Sequence, residues 1–316
     1  MKSFFSFFVC RFCLFAVLTA TATATITLDM IAIGNVGNAN DTVNPAPAAN
    51  YGSVSYAYDI GKTEVTTAQY VAFLNATAST VDTYTLYNPS MANMGGAGVG
   101  ISQTGGGSTT FSYSVTGGGE NRPVAFVSWF DAARFSNWMT NGQGGAATTE
   151  TGSYTLAGAV SGSTVERNAV VGGYFIPTEN EWYKAAYYNP GTTAYSLFPN
   201  GQATITTADA NYANSGGTTT NVGAYSLDPS PYGTLDQGGN VREVMNYDAA
   251  TAANLVARGG SYTSTTDSTL NSASRTLLAT NSETISTGFR VSVVPEPSSA
   301  LLAMLGGSFL LLRRKR

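Results

Sequence analysis

Short mixed blocks of apolar and charged residues alternate with long tracts of glycine, serine, threonine and asparagine, and this alternation most limits the possible folds. The chain has 316 residues, 35 of them glycine. Glycine triplets at Gly105-Gly106-Gly107 and Gly117-Gly118-Gly119 break up residues 76–120, and residues 141–170 form a second such tract. Neither tract can sustain a long helix or a central strand, because glycine weakens both. The expected result is short strands and long loops. Hydrophobic residues at 43% still allow a sizeable core. Charged residues at 11% argue against a coiled coil, and aromatics at 11% argue against disorder.

Two absences restrict the chemistry. There is no histidine, which removes histidine metal sites and Ser–His–Asp or Cys–His pairs. The two cysteines, Cys10 and Cys13, both lie near the N-terminus. If that segment is removed, no thiol is left for a disulfide, a soft metal site or a nucleophile. Charge is also segregated. Between Asp29 and Glu296 there are nineteen acidic residues against nine basic ones, a net charge of −10. Such a surface disfavours nucleic acid, whose phosphates call for clustered Lys and Arg. It suits divalent cations or solubility outside the cell.

Both ends read as addresses. Residues 1–24 combine Lys2 and Arg11, an apolar run over 12–18, and small-x-small sites at Ala20-Thr21-Ala22 and Ala22-Thr23-Ala24. This is the pattern of a cleaved export signal, too short and too interrupted for a membrane span. At the other end Pro295-Glu296-Pro297 precedes a small and apolar run over 298–312, then Arg313-Arg314-Lys315-Arg316. The run forms a short membrane helix, with the basic cluster keeping its end in the cytoplasm. The three-part pattern resembles the bacterial PEP-CTERM sorting signal. That resemblance implies an exosortase partner, cleavage near the triplet, and delivery to the cell surface or extracellular matrix. An ordinary tail anchor is the alternative.

Between the ends, residues 56–64 alternate as a strand, and a helix capped by Thr66 or Thr67 follows through Leu74. Ser128 and Asp131 have capping-box spacing ahead of a helix over 132–139. Tyr174-Phe175-Ile176 reads as a strand, and Thr178 caps a helix with Glu179 and Glu181 in its first turn. Trp129, Trp138 and Trp182 are expected in the core, and Arg258 and Arg290 are expected to pair with buried acids or carbonyls.

Six blocks taken in order carry a family resemblance. They are Ile60-Gly61-Lys62-Thr63-Glu64-Val65-Thr66, Arg122-Pro123-Val124 with Ser128-Trp129, and Ile176-Pro177-Thr178-Glu179 with Glu181-Trp182. The others are Gly239-Asn240-Val241 with Glu243, Arg258-Gly259-Gly260-Ser261-Tyr262, and Gly288-Phe289-Arg290. Together they resemble the formylglycine-generating enzyme, or sulfatase-modifying factor, family over about residues 31–293. The resemblance implies an α+β fold with much irregular structure: one domain over 25–293 with a C-type-lectin-like core, ahead of the sorting signal at 294–316. It further implies oxidation of a sulfatase cysteine by oxygen and copper held on two cysteines. Those positions fall on Ser264 and Thr269, whose hydroxyls cannot replace thiolates for Cu(I), so no copper is expected. Ser261 then lines a degenerate groove. Where the family has Trp-Glu-Trp, this chain has Arg242-Glu243-Val244.

The resemblance also implies calcium. One site would use the side chains of Asp236 and Glu243 with the carbonyls of Gly239 and Val241. A second would use Asn211, the Tyr212 carbonyl and Asn214. Calcium takes six to eight oxygens, which such turns can supply. The other reading of Asp236 and Glu243 is a turn cap and an Arg-paired acid. The expected function is therefore an exported binding or structural module that meets extracellular polysaccharide or a surface protein through its variable loops. The alternative is altered enzyme chemistry on the same scaffold.

Overall fold

The computed structural model describes residues 25–43, 51–246 and 255–294. Both end signals, from the export signal to Pro295-Glu296-Pro297 and the basic cluster, lie outside the described residues.

Three helices start where short polar side chains take over the first free backbone N–H groups. Helix α1 (Thr67–Thr77) is capped by Thr66, α2 (Trp129–Thr140) by Ser128, and α3 (Glu179–Tyr187) by Thr178. Each is a reciprocal capping box, closed by Gln69, Asp131 and Glu181 respectively. The expected starts of α1 and α3 match, whereas α2 begins at Trp129, directly after its Ser128 cap and three residues ahead of the helix expected over 132–139.

The strands are short. Strands β1 (Met30–Ile33) and β2 (Tyr58–Gly61) pair antiparallel. A hairpin of β3 (Gly100–Thr104) and β4 (Ser112–Thr116) occupies the first glycine-rich tract. Strand β5 (Tyr174–Phe175) precedes α3, and a small pair of β6 (Tyr188–Asn189) and β7 (Ala194–Tyr195) follows it. The last third holds β8 (Arg242–Val244), β9 (Leu255–Arg258), β10 (Thr276–Leu278), β11 (Thr287–Gly288) and β12 (Ser292–Val293).

Two four-stranded sheets organise these pieces, in the orders β1-β2-β12-β5 and β10-β9-β8-β11. Ser292 of β12 sits between Ile60 and Phe175, so the end of the domain is locked between its beginning and its middle. The strand expected over 56–64 is shorter than its alternation suggests. It ends at Gly61, and the chain then turns so that Val65 donates its N–H to the Phe289 carbonyl at 2.9 Å.

The core is aromatic. Phe73 of α1 meets Phe135 and Trp138 of α2 at ring separations of 5.5 and 5.4 Å, and Phe135 meets Phe289 at 5.3 Å. Trp129, Trp138 and Trp182 are all buried, as expected. The glycine-rich tracts contribute too: Ile101 and Tyr113 from one, and Tyr154 and Leu156 from the other, are core residues. Among the described residues, no helix is long and apolar enough to cross a membrane.

Asp131 carries a pH-dependent cost. Burial raises its carboxyl to about 7, against the hydrogen bonds from Ser128 that favour the charged form. The unfolded carboxyl titrates near ~3.9. A raised folded value gives stability that is complete below the unfolded value and lost as pH rises through about 7. Urea unfolding is therefore expected to show stability falling between pH 5 and pH 8, by up to about 1.4 kcal/mol per pH unit below 7 from this group. Asp131→Asn should flatten that part of the profile. An unchanged slope in the variant would remove Asp131 as its source.

Candidate functional site

Three neighbouring clusters cover the positions singled out in the sequence. The first is the groove after β9. Gly260 lies in the left-handed region at φ +65°. A Cβ built on it would stand 3.1 Å from Ser264 Oγ and 3.0 Å from Thr269 Oγ1. The chain thus brings Ser264 and Thr269 close to one point above Gly260. Both hydroxyls are used within the loop. Ser264 Oγ accepts from the Ser261 N–H at 3.0 Å, and Thr269 Oγ1 donates to the Thr266 carbonyl at 2.9 Å. Ser261 Oγ lies 2.9 Å from Thr263 Oγ1. Ser261, Ser264 and Thr269 each spend their hydroxyl on the loop itself, and the wall they line has no thiol.

The second cluster surrounds Arg290, which is fully buried. Glu243 receives Arg290 Nε at 2.5 Å and Nη2 at 2.6 Å, and the Trp182 indole N–H at 2.8 Å. The rest of the guanidinium donates to the carbonyls of Gly61, Lys62 and Leu235. Burial works against the Arg290 charge, but the Glu243 carboxylate outweighs it and raises the arginine above its usual value. Arg258 is paired likewise, with Glu179 at 2.6 Å. Both arginines are structural, as expected.

This arrangement does not fit calcium held jointly by Asp236 and Glu243. Three donors already address the two Glu243 oxygens, and a guanidinium occupies the space beside them. Asp236 is placed differently. It is partly exposed, lies in the left-handed region at φ +60°, and accepts the Gly223 N–H at 2.5 Å. Gly239, at φ +89°, packs so closely on the Asn211 carbonyl that a Cβ would come within 2.3 Å of it. Among the described residues, no three Asp, Glu, His or Cys side chains stand close enough together to hold a metal ion.

Sequence reasoning missed Glu64. It is 1% exposed, and neither carboxyl oxygen has a hydrogen-bond donor. Burial, reinforced by Asp236 and then Glu243, raises its carboxyl well above the usual range. Burial likewise raises Asp236 to about 6. Only the Thr63-Glu64-Val65 block drew notice to this position in the sequence, and there Glu64 counted as a family marker.

The third cluster is the loop over 211–220. Asn211 is buried, and its Nδ2 donates to the Thr218 carbonyl at 3.0 Å. Its Oδ1 is buried with no donor, and so are the hydroxyl oxygens of Thr218 and Thr220. Unpartnered buried oxygens are rare, so several on one short loop call for an explanation. Neutral hard oxygens of this kind fit calcium. Tyr212 is buried, and its carbonyl already accepts the Ser215 N–H at 3.0 Å. Asn214 is exposed, which sets it apart from the buried oxygens. Thr218 and Thr220 were not apparent from the sequence, because three consecutive threonines in a polar loop carry no distinctive spacing.

Comparison with protein families matches residues 18–294 to the Sulfatase-modifying factor enzyme 1-like domain. No curated protein matches the sequence. Among solved structures, Treponema denticola variable protein 1 superposes with a TM-score of 0.61 at 20% identity, covering 87% of this chain and 98% of that one. CarF superposes with a TM-score of 0.56 at 21% identity, covering 86% and 100%. PvdO from Pseudomonas aeruginosa follows with a TM-score of 0.51 at 16% identity, covering 83% and 93%. At these identities the likeness concerns the fold alone.

Proposed function

The chain belongs to the sulfatase-modifying factor enzyme 1-like family, and from that premise we propose that it is an exported, non-catalytic member acting as a binding module at the cell surface or in the extracellular matrix. The observation that carries this reading is the wall over Gly260. Ser264 and Thr269 stand where the resemblance puts copper-binding cysteines, and both hydroxyls are used by the loop itself. Without a soft ligand there, copper has no purchase.

Export rests on the two end signals, with exosortase-type processing at Pro295-Glu296-Pro297 and the short apolar helix as a membrane tether before it. Polysaccharide or a surface protein is the partner class, met through loops on a rigid scaffold. Calcium belongs to the Asn211 loop, where the oxygens of Asn211, Thr218 and Thr220 would hold it and stiffen the surface beside the groove.

The test is retention of the secreted chain on the producing cell's own extracellular polysaccharide, in calcium and then in chelator. Retention that is lost in chelator, and weakened in Asn211→Ala, is the expected result. No retention in either buffer would overturn the matrix reading. Copper-dependent conversion of a cysteine peptide to formylglycine would overturn the non-catalytic one.

A further inference from the structure

An apolar groove lies where the last strand ends. Val170, Val171, Phe175 and Val294 line it, with Arg167 beside them, and it holds about 290 Å³. Val171 is 57% exposed there, although most large apolar side chains of this chain are buried. The polar groups in the lining are already engaged. The two Arg167 Nη atoms donate to the Glu181 carboxylate at 2.8 and 2.7 Å, and the guanidinium lies 4.9 Å from the centre of the Phe175 ring. Asn168 Nδ2 donates to the Gly152 carbonyl at 2.8 Å. With its one guanidinium paired, the lining suits an apolar occupant.

The position of Val294 points to the occupant. Its carbonyl accepts the Gly172 N–H at 3.1 Å, and β12 just before it is held between β2 and β5. The chain therefore leaves the domain at the groove itself. Pro295-Glu296-Pro297 and the apolar run over 298–312 come next in the sequence. Four residues carry the chain from Val294 to Ser298, a reach of at most about 14 Å. With that run in a bilayer, so short a linker holds the groove against the lipid surface.

We propose that the groove is the membrane-contacting face of the tethered chain, and that its Val170, Val171, Phe175 and Val294 lining takes up lipid acyl chain; this rests on the membrane tether proposed above. Between Asp29 and Glu296 the chain carries a net charge of −10, which anionic headgroups repel, so the contact has to be apolar. An apolar contact of this size binds weakly by itself. It orients a chain that the helix already retains. Its effect is to hold Pro295-Glu296-Pro297 at the lipid surface, where an enzyme embedded in the membrane can cut it. Once cut, the chain loses the tether and leaves.

The test uses the full chain with Cys10→Ser and Cys13→Ser, which leaves no thiol, in vesicles of phosphatidylethanolamine and phosphatidylglycerol. One cysteine is then introduced as Val171→Cys, or as Leu227→Cys at a position that is 92% exposed and outside the groove lining, and carries a fluorescent label. Flotation with the vesicles reads the tether, and quenching of the label by spin-labelled lipid reads the contact. The chain is expected to float, with the label at Val171 losing most of its emission and the label at Leu227 keeping it. With the label moved to Ala169→Cys, adding Val171→Asp should weaken the quenching and leave flotation unchanged. Flotation with no quenching at Val171, or with equal quenching at both sites, would overturn the contact and leave the tether standing. A chain that does not float removes the tether, and the proposal with it. A label at Val171 that is shielded from water without vesicles and indifferent to spin-labelled lipid would also overturn it, because the run over 298–312 would then cover the groove.

Discussion

Replacing Arg290 with methionine is expected to lower the unfolding free energy by about 3–5 kcal/mol, the range for breaking a buried ion pair by removing one partner. Methionine fills much of the arginine volume, so little of this loss is a cavity. The cost comes from what is left behind. Glu243 keeps one donor, Trp182, and the carbonyls of Gly61 and Leu235 lose theirs. Glu64 and Asp236 lose their nearby positive charge at the same time. The double variant Arg290→Met with Glu243→Gln is expected to recover part of the loss, since removing both members of a buried pair is often close to neutral. Urea unfolding at pH 7 of the two single variants and the double variant forms the cycle. A single-variant loss below about 1 kcal/mol would mean that water reaches the pair and screens it.

The helices were legible because their signals are local. Thr66, Ser128 and Thr178 each precede a helix, and each has its capping-box partner three residues on. The aromatic core was legible from side-chain size alone. The strands were less so. Residues 56–64 alternate as one strand, but pairing stops at Gly61 because β2 has antiparallel partners only up to that point. That limit is set by β1 and β12, which the local pattern does not contain.

The candidate site divides the same way. Ser264 and Thr269 were found by counting from a motif, and Gly260 brings them together. Glu243 fits the acid-with-arginine reading, since its partner Arg290 lies in another motif that was itself expected to pair. Glu64 was missed because its importance is a relation among segments 172 residues apart, with Asp236 at the far end. Burial and the absence of a donor have no local sequence signal. Thr218 and Thr220 were missed for the same reason.

Phe135→Ala is expected to cost about 3–5 kcal/mol, as for other buried phenylalanines. Phe135 is the ring where three parts of the chain meet. It stands 5.5 Å from Phe73 of α1, 5.6 Å from Trp138 within α2, and 5.3 Å from Phe289 near the C-terminal end of the domain. Tyr70 stacks 6.4 Å away. Capped helices with fixed ends cannot move inward to close the resulting cavity, so the loss should lie toward the upper end of the range. Phe135→Leu keeps most of the apolar volume and should cost clearly less. Phe289 is adjacent to Arg290, so the cavity should also loosen the ion pair with Glu243. Near-ultraviolet circular dichroism tests this, because Trp138 packs on Phe135 and Trp182 donates to Glu243. The expected result is a weakened tryptophan signal in Phe135→Ala well below its unfolding midpoint, with Phe135→Leu close to wild type. An alanine variant with a cost under about 1 kcal/mol and an unchanged signal would mean that the neighbouring rings repack, and that the helical core does not support the arginine cluster.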